Sequence, residues 1–154
     1  MKTTTSILMA ALAAMLTACA QQDCAQVANA AEEQNKKTVT AFYDAAINDK
    51  DFAAASVYLG DKYIQHNPLA ADGPEGLKAF LEFASANLSG FKIEFKRVLA
   101  DGDFVIVHGH ARNGADDRGS AVMDIFRLEN GKVVEHWDVI QAIPETAQNS
   151  NTMF

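Results

Sequence analysis

Cysteine is nearly absent: Cys19 and Cys24 are the only two in 154 residues, and both lie near the N-terminus. No disulfide framework or cysteine-rich metal cluster can organise the rest of the chain. The Gly-x-Ser-x-Gly elbow of a serine hydrolase is missing too,. Basic residues are outnumbered, 13 Lys and Arg against 20 Asp and Glu, for a net charge of −7. Such a surface repels phosphate backbones, which excludes nucleic acid as the expected partner. The longest apolar run, Ser6 to Leu16, is too short to span a bilayer as a helix,. Internal repeats and low-complexity stretches do not occur. What remains is an ordinary globular composition, 49% hydrophobic and 21% charged. At this length it reads as one domain with one core.

The first residues read differently from the rest. Lys2 and a short polar stretch precede the Ser6–Leu16 run, which ends in Leu16-Thr17-Ala18-Cys19. This order is that of a secretory signal, and its end resembles a bacterial lipobox. In that reading residues 1–18 are removed and Cys19 carries the lipid. Residues 19–31, rich in Gln and Ala, form a tether. The protein is then expected to be exported and held on a membrane by acyl chains, on the outer membrane or periplasmic face in a Gram-negative cell. An ordinary cut after Ala20 is the alternative, because Ala18-Cys19-Ala20 fits the small-x-small rule,. With Cys19 lipidated, Cys24 has no disulfide partner, and no role is assigned to it.

Residues 32–144 carry the periodicities of a folded domain, and 145–154 read as a polar tail. Val39, Phe42, Tyr43, Ala46 and Ile47 recur at helical spacing, predicting a helix over Glu32–Asn48,. Asp51 can cap a second helix over Phe52–Leu59. Tyr63–Pro68 reads as a short extended piece ended by proline. Pro74 suits the first turn of a third helix, to about Leu88, with Leu77, Phe80, Leu81 and Ala84 as its stripe,. Beyond Ser89-Gly90 the period becomes two. Strands are predicted at Phe91–Leu99, Phe104–Arg112, Ser120–Leu128 and Val133–Gln141, with turns at Asp101-Gly102 and Asn130-Gly131,. Helices first and antiparallel strands after argue an α+β fold: a cone-shaped barrel of three N-terminal helices packed on a curved, mainly antiparallel sheet. Such a cone is the usual kind of site for a small ligand.

Asp124 is the most informative polar residue. It stands mid-strand among Val122, Met123, Ile125 and Phe126, where aspartate is disfavoured and costly to bury unpaired. Desolvation there favours its protonated form and a neighbouring histidine opposes that, which suits a general base at neutral pH. If Asn130-Gly131 is a two-residue turn, Glu129 pairs with Lys132, Asp124 faces Trp137 and Phe126 faces Glu135,. His136 and Asp138 then fall on the opposite face, with Met123 and Ile125. His108, His110 and Arg112 share one face of the preceding strand. His110 is the candidate to share a proton with Asp124 or to polarise a substrate oxygen, and His66, before Asn67-Pro68, is a second candidate at the cavity mouth. His108, Trp137, Phe126, Tyr63 and Arg112 are the candidate substrate contacts. For each, a packed or hydrogen-bonded structural role is the competing reading.

Tyr63–Pro68, Ala121–Arg127 and Val134–Gln141 resemble SnoaL-like proteins, the polyketide cyclase family of the nuclear transport factor 2-like superfamily, here in a bacterial lipoprotein setting. The resemblance covers about Lys36–Pro144. It implies a cone-shaped α+β barrel, often a homodimer through the sheet. It also implies ring closure by intramolecular aldol condensation without metal or organic cofactor. Asp124 and His110 match the family's acid/base aspartate and its histidine by strand and spacing; at His108 the cyclases carry a different polar residue.

Two function classes therefore stand side by side. One is a cofactor-free acid/base enzyme acting on a small carbonyl or polyketide-like compound, by aldol cyclisation, isomerisation or dehydration. The other is a periplasmic module that only binds a small apolar ligand. A metal site is not expected: Gly102 followed by His108-x-His110 matches the opening of a cupin motif, but Asn113, Gly114 and Ala115 stand where its carboxylate is needed,.

Overall fold

The computed structural model describes residues 26–154. Lys2, the lipobox and both cysteines lie outside the described residues. The helix α1 is already formed at 26, inside the segment read as a tether, and runs through 26–43. It continues as a wider π turn over Asp44–Asn48. Then follow α2 (Phe52–Ser56), β1 (Leu59–Gln65), α3 (Gly73–Asn87), β2 (Phe91–Asp101), β3 (Phe104–Asn113), β4 (Ser120–Glu129) and β5 (Lys132–Ala142). Among the described residues no helix is long and apolar enough to cross a membrane.

Local chemistry explains most boundaries. The Asp51 side chain accepts from the Ala54 amide, 3.0 Å away, and starts α2,. Pro74 sits in the first turn of α3, where its missing N–H costs nothing. Asn130 and Gly131 both adopt positive φ, 52° and 71°, the backbone that a two-residue hairpin between β4 and β5 demands. Val39, Phe42, Tyr43, Ala46 and Ile47 are all buried, as their spacing requires. On α3 the buried line is Leu77, Leu81 and Ala84; Phe80 falls beside it and is 37% exposed.

The five strands form one mixed sheet in the order β1-β5-β4-β3-β2. Neighbours are antiparallel except β1, which runs parallel to β5. The extended piece expected at Tyr63–Pro68 is thus the end of a longer edge strand. The helices pack on one face, and the core lies between them: Phe42, Leu81, Val105, Val107, Phe126, Leu128 and Val133 are essentially inaccessible.

One register detail governs the rest. Glu129 pairs with Lys132 and Leu128 with Val133, as an unbroken hairpin requires, but Arg127 pairs with Glu135. Val134 is the extra residue of a β-bulge. Val133 and Val134 are both buried, at 0% and 2% exposure. A bulge moves every later residue to the other face. Asp124 therefore pairs with Asp138, Phe126 with His136 and Ile125 with Trp137. The bulge has a packing partner: a Cβ added to Gly60 would lie 2.6 Å from Val134 Cγ1.

Candidate active site

The inner face of the sheet carries a polar cluster inside an aromatic shell. Asp124 of β4 is 2% exposed and His136 of β5 is 5% exposed. The Tyr43 hydroxyl, from α1, donates to Asp124 Oδ1 at 2.7 Å. His136 Nε2 lies 3.2 Å from the same oxygen. Asp124 Oδ2 is buried and has no hydrogen-bond partner among the described residues. The Phe126 ring packs on His136 at 4.7 Å and edge-on to Tyr43 at 5.1 Å. Tyr63 lies parallel to His136 at 6.5 Å.

The end of β1 completes the cluster. Pairing with β5 sets Gln65 opposite His136. Gln65 Oε1 is 3.0 Å from His136 Nδ1. The Asn67 side-chain amide donates to both oxygens of Asp138, at 2.9 and 2.7 Å. Burial fades along this side of β5, from His136 through half-buried Asp138 to Ile140, which is 58% exposed. The cluster thus lies between the closed base of the cone and its open end.

Electrostatics follow from burial and from the two carboxylates. Burial first, and then neighbouring Asp124, pushes the Tyr43 phenol well above its usual value,. Burial and then Asp124 and Asp138 push Tyr63 up as well. Both hydroxyls therefore stay protonated and can donate. Asp124, His136 and Asp138 each offer a ligand atom within 4.8 Å of the others, a donor set that a small divalent cation could also use.

Several expected site residues stand elsewhere. On β3, Val107 pairs with Asp124 and Gly109 with Val122. His108, His110 and Arg112 alternate to the outer face and do not meet Asp124. His108 Nδ1 accepts from Arg97 Nη1 at 2.8 Å. His110 Nε2 donates to the Arg118 carbonyl at 2.7 Å. The bulge turns Trp137 to the outer face as well, so the pairing of Asp124 with Trp137 is corrected. His66 also points outward, stacked on Trp137 at 4.6 Å and 2.8 Å from Glu135 Oε1. That contact, with Arg127 in support, holds the Glu135 carboxyl below its usual range. Of the expected set, Asp124, Phe126 and Tyr63 come together. Tyr43, His136, Asp138, Gln65 and Asn67 join them. Two adjacent buried valines at 133–134, breaking the alternation, were the signal in the sequence for the bulge.

Fold and site together define a helix-filled cone with an acid–base cluster on the concave side of its sheet. Residues 39–136 match the family model described as SnoaL-like domain, and the chain belongs to that family. No curated protein matches the sequence. An LEH-like epoxide hydrolase of M. tuberculosis has a similar structure, with TM-score 0.60 and 21% identity over 71% of this chain and 84% of that one. So has a SnoaL-like protein of unknown function from Burkholderia thailandensis, with TM-score 0.61 and 17% identity over 72% and 97%. A candidate polyketide cyclase of Bacillus cereus has TM-score 0.57 and 20% identity over 67% and 71%. At these identities the likeness establishes the nuclear transport factor 2-like cone fold.

Proposed function

We propose that this protein is an acid–base enzyme acting on a small carbonyl or polyketide-like compound without an organic cofactor, by aldol closure, isomerisation or dehydration. Asp124 and His136 are its working pair. One observation carries the reading: a carboxylate 2% exposed is held at one oxygen by a phenol and an imidazole, and its other oxygen is unpartnered. An unsatisfied buried acceptor is costly, and it is what a general base presents to a C–H bond. In the reaction, Asp124 Oδ2 takes a proton from the carbon alpha to a carbonyl. The C–H electron pair moves into the enolate, whose oxygen accepts from the hydroxyl of Tyr63, which lies parallel to His136 in the same cluster,. For aldol closure the enolate carbon attacks a second carbonyl, and the pair returns the proton to the new alkoxide. Protons and electrons balance with no redox partner.

The test uses a 1,3-diketone in D2O and follows alpha-proton exchange by NMR. Wild-type protein is expected to accelerate exchange, and Asp124→Asn to lose about 100-fold or more of that acceleration. Equal rates in the two proteins would overturn the reading.

A binding module is the second reading, and a specific observation favours it. Tyr43, Tyr63, Phe42 and Phe126 fill the cone. Two surface hollows, of about 610 Å³ beside Asn48 and Lys92 and about 360 Å³ beside Phe52 and Lys78, are not lined by Asp124. A small apolar compound retained through purification by both proteins, with no exchange by either, would select this reading. For location we propose lipid attachment at Cys19, supported by Leu16-Thr17-Ala18-Cys19 after an apolar run,.

A further inference from the structure

Where β1 ends, alternate side chains leave on opposite sides of the sheet. His66 goes out to Trp137 and Glu135. Gln65 and Asn67 go in, and each touches one ionisable member of the inner cluster. Neither amide can itself transfer a proton at neutral pH, so their contribution lies in what they impose on their neighbours.

Gln65 imposes a proton position. Its Oε1 accepts the Asn67 backbone N–H at 2.9 Å, which identifies that end of the amide as oxygen rather than nitrogen. The same oxygen lies 3.0 Å from His136 Nδ1. An amide oxygen only accepts, so Nδ1 carries the hydrogen. The other ring nitrogen, Nε2, then faces Asp124 Oδ1 at 3.2 Å with the valence that can take or give a proton,. One proton bridges that contact, as imidazolium and carboxylate or as imidazole and carboxylic acid. Turned the other way, the ring would hold its neutral-state hydrogen on Nε2 and present Asp124 with a fixed donor. The remaining groups near the ring are Tyr43, Tyr63 and Phe126, which meet it with their rings, and the Asp138 carboxylate, which lies within 4.8 Å but is hydrogen-bonded at both oxygens by Asn67 and not by His136. Gln65 is itself anchored, because its backbone N–H donates to Asp72 Oδ1 at 2.8 Å.

We propose that Gln65 is a positioning residue: through Oε1 it fixes the hydrogen of His136 on Nδ1 and so leaves Nε2 free to exchange a proton with Asp124. The inference rests on the acid–base reading of the site but can fail separately from it.

The experiment is 15N NMR of the full chain labelled at histidine, at a pH where the rings are neutral. His136 is assigned by comparison with a His136→Gln sample. In the wild type, Nδ1 is expected to be the protonated nitrogen. Gln65→Met removes the acceptor and should move the hydrogen to Nε2. Gln65→Glu keeps an acceptor and should restore Nδ1–H. If exchange activity is found, Gln65→Met should lower it by about 100-fold or more and displace its pH profile, with Gln65→Glu recovering most of the loss. A wild-type ring protonated on Nε2 overturns the proposal even if no variant folds. So does a folded Gln65→Met that keeps Nδ1–H. A tautomer that follows Gln65 in a protein that exchanges nothing would sink the enzyme reading and leave this inference standing.

Discussion

The contact between Tyr43 and Asp124 can be measured as a coupling energy. Both side chains are buried, and the hydroxyl donates to the carboxylate at 2.7 Å across 81 residues of sequence. A hydrogen bond to a charged group contributes about 1.5–3 kcal/mol. Tyr43→Phe removes the donor and leaves Asp124 with only His136 at Oδ1 and nothing at Oδ2. A loss of about 2 kcal/mol is expected. Asp124→Leu instead leaves the Tyr43 hydroxyl and His136 Nε2 buried without a partner, at about 1–3 kcal/mol for each such group. Combined, the two changes remove both ends of the bond. The double variant should therefore be more stable than the sum of the single losses by about 1.5–3 kcal/mol. Urea titration followed by circular dichroism measures this. With an m-value of about 1–3 kcal/mol/M, the Tyr43→Phe midpoint should fall by about 1 M. Losses that add to within about 0.5 kcal/mol would show that the two residues are not coupled, and the site geometry would be refuted.

Alkali should unfold the protein from about pH 10, where exposed tyrosines ionise. Tyr43 and Tyr63 are raised in the folded state, so the unfolded chain loses their protons first, and their contribution, complete below the unfolded value, is lost progressively as pH rises from there towards the raised folded value. The slope should approach about 1.4 kcal/mol per pH unit for each tyrosine. Tyr63→Phe should flatten it, as read by denaturant titration at stepped pH; an unchanged slope would count against the burial argument. Gly60→Ala drives a methyl into Val134 and should cost about 1–3 kcal/mol. Adding Val134→Ala should cost less than the two separate losses together, and strict additivity in thermal melts would refute the packing of the bulge against β1. Cys19→Ser should abolish labelling by a radioactive fatty acid and release the protein from membranes; labelling that persists would sink the lipobox reading.

Some of this protein is written in the sequence alone. The α1 stripe, the Asp51 cap, Pro74 in the first turn of α3 and the Asn130-Gly131 hairpin were all legible, because each depends on residues a few positions apart. Period and turn chemistry sufficed for the α+β class. Asp124 also stood out, since an aspartate amid apolar strand residues needs a reason wherever it lies. Its partners were another matter. Which histidine meets Asp124 depends on register, and one extra residue, Val134, reverses every face of β5 beyond it. That reversal brings in His136 and Asp138 and puts Trp137 outside. His108 and His110 are excluded because Val107, not a histidine, pairs with Asp124. Gln65 and Asn67 carry no local signal of their role. They reach His136 and Asp138, 71 residues away, only because the edge strand docks parallel to β5. Local propensity is set by neighbours along the chain. Strand pairing is set by how whole elements bury their surfaces, and only the tertiary structure decides it.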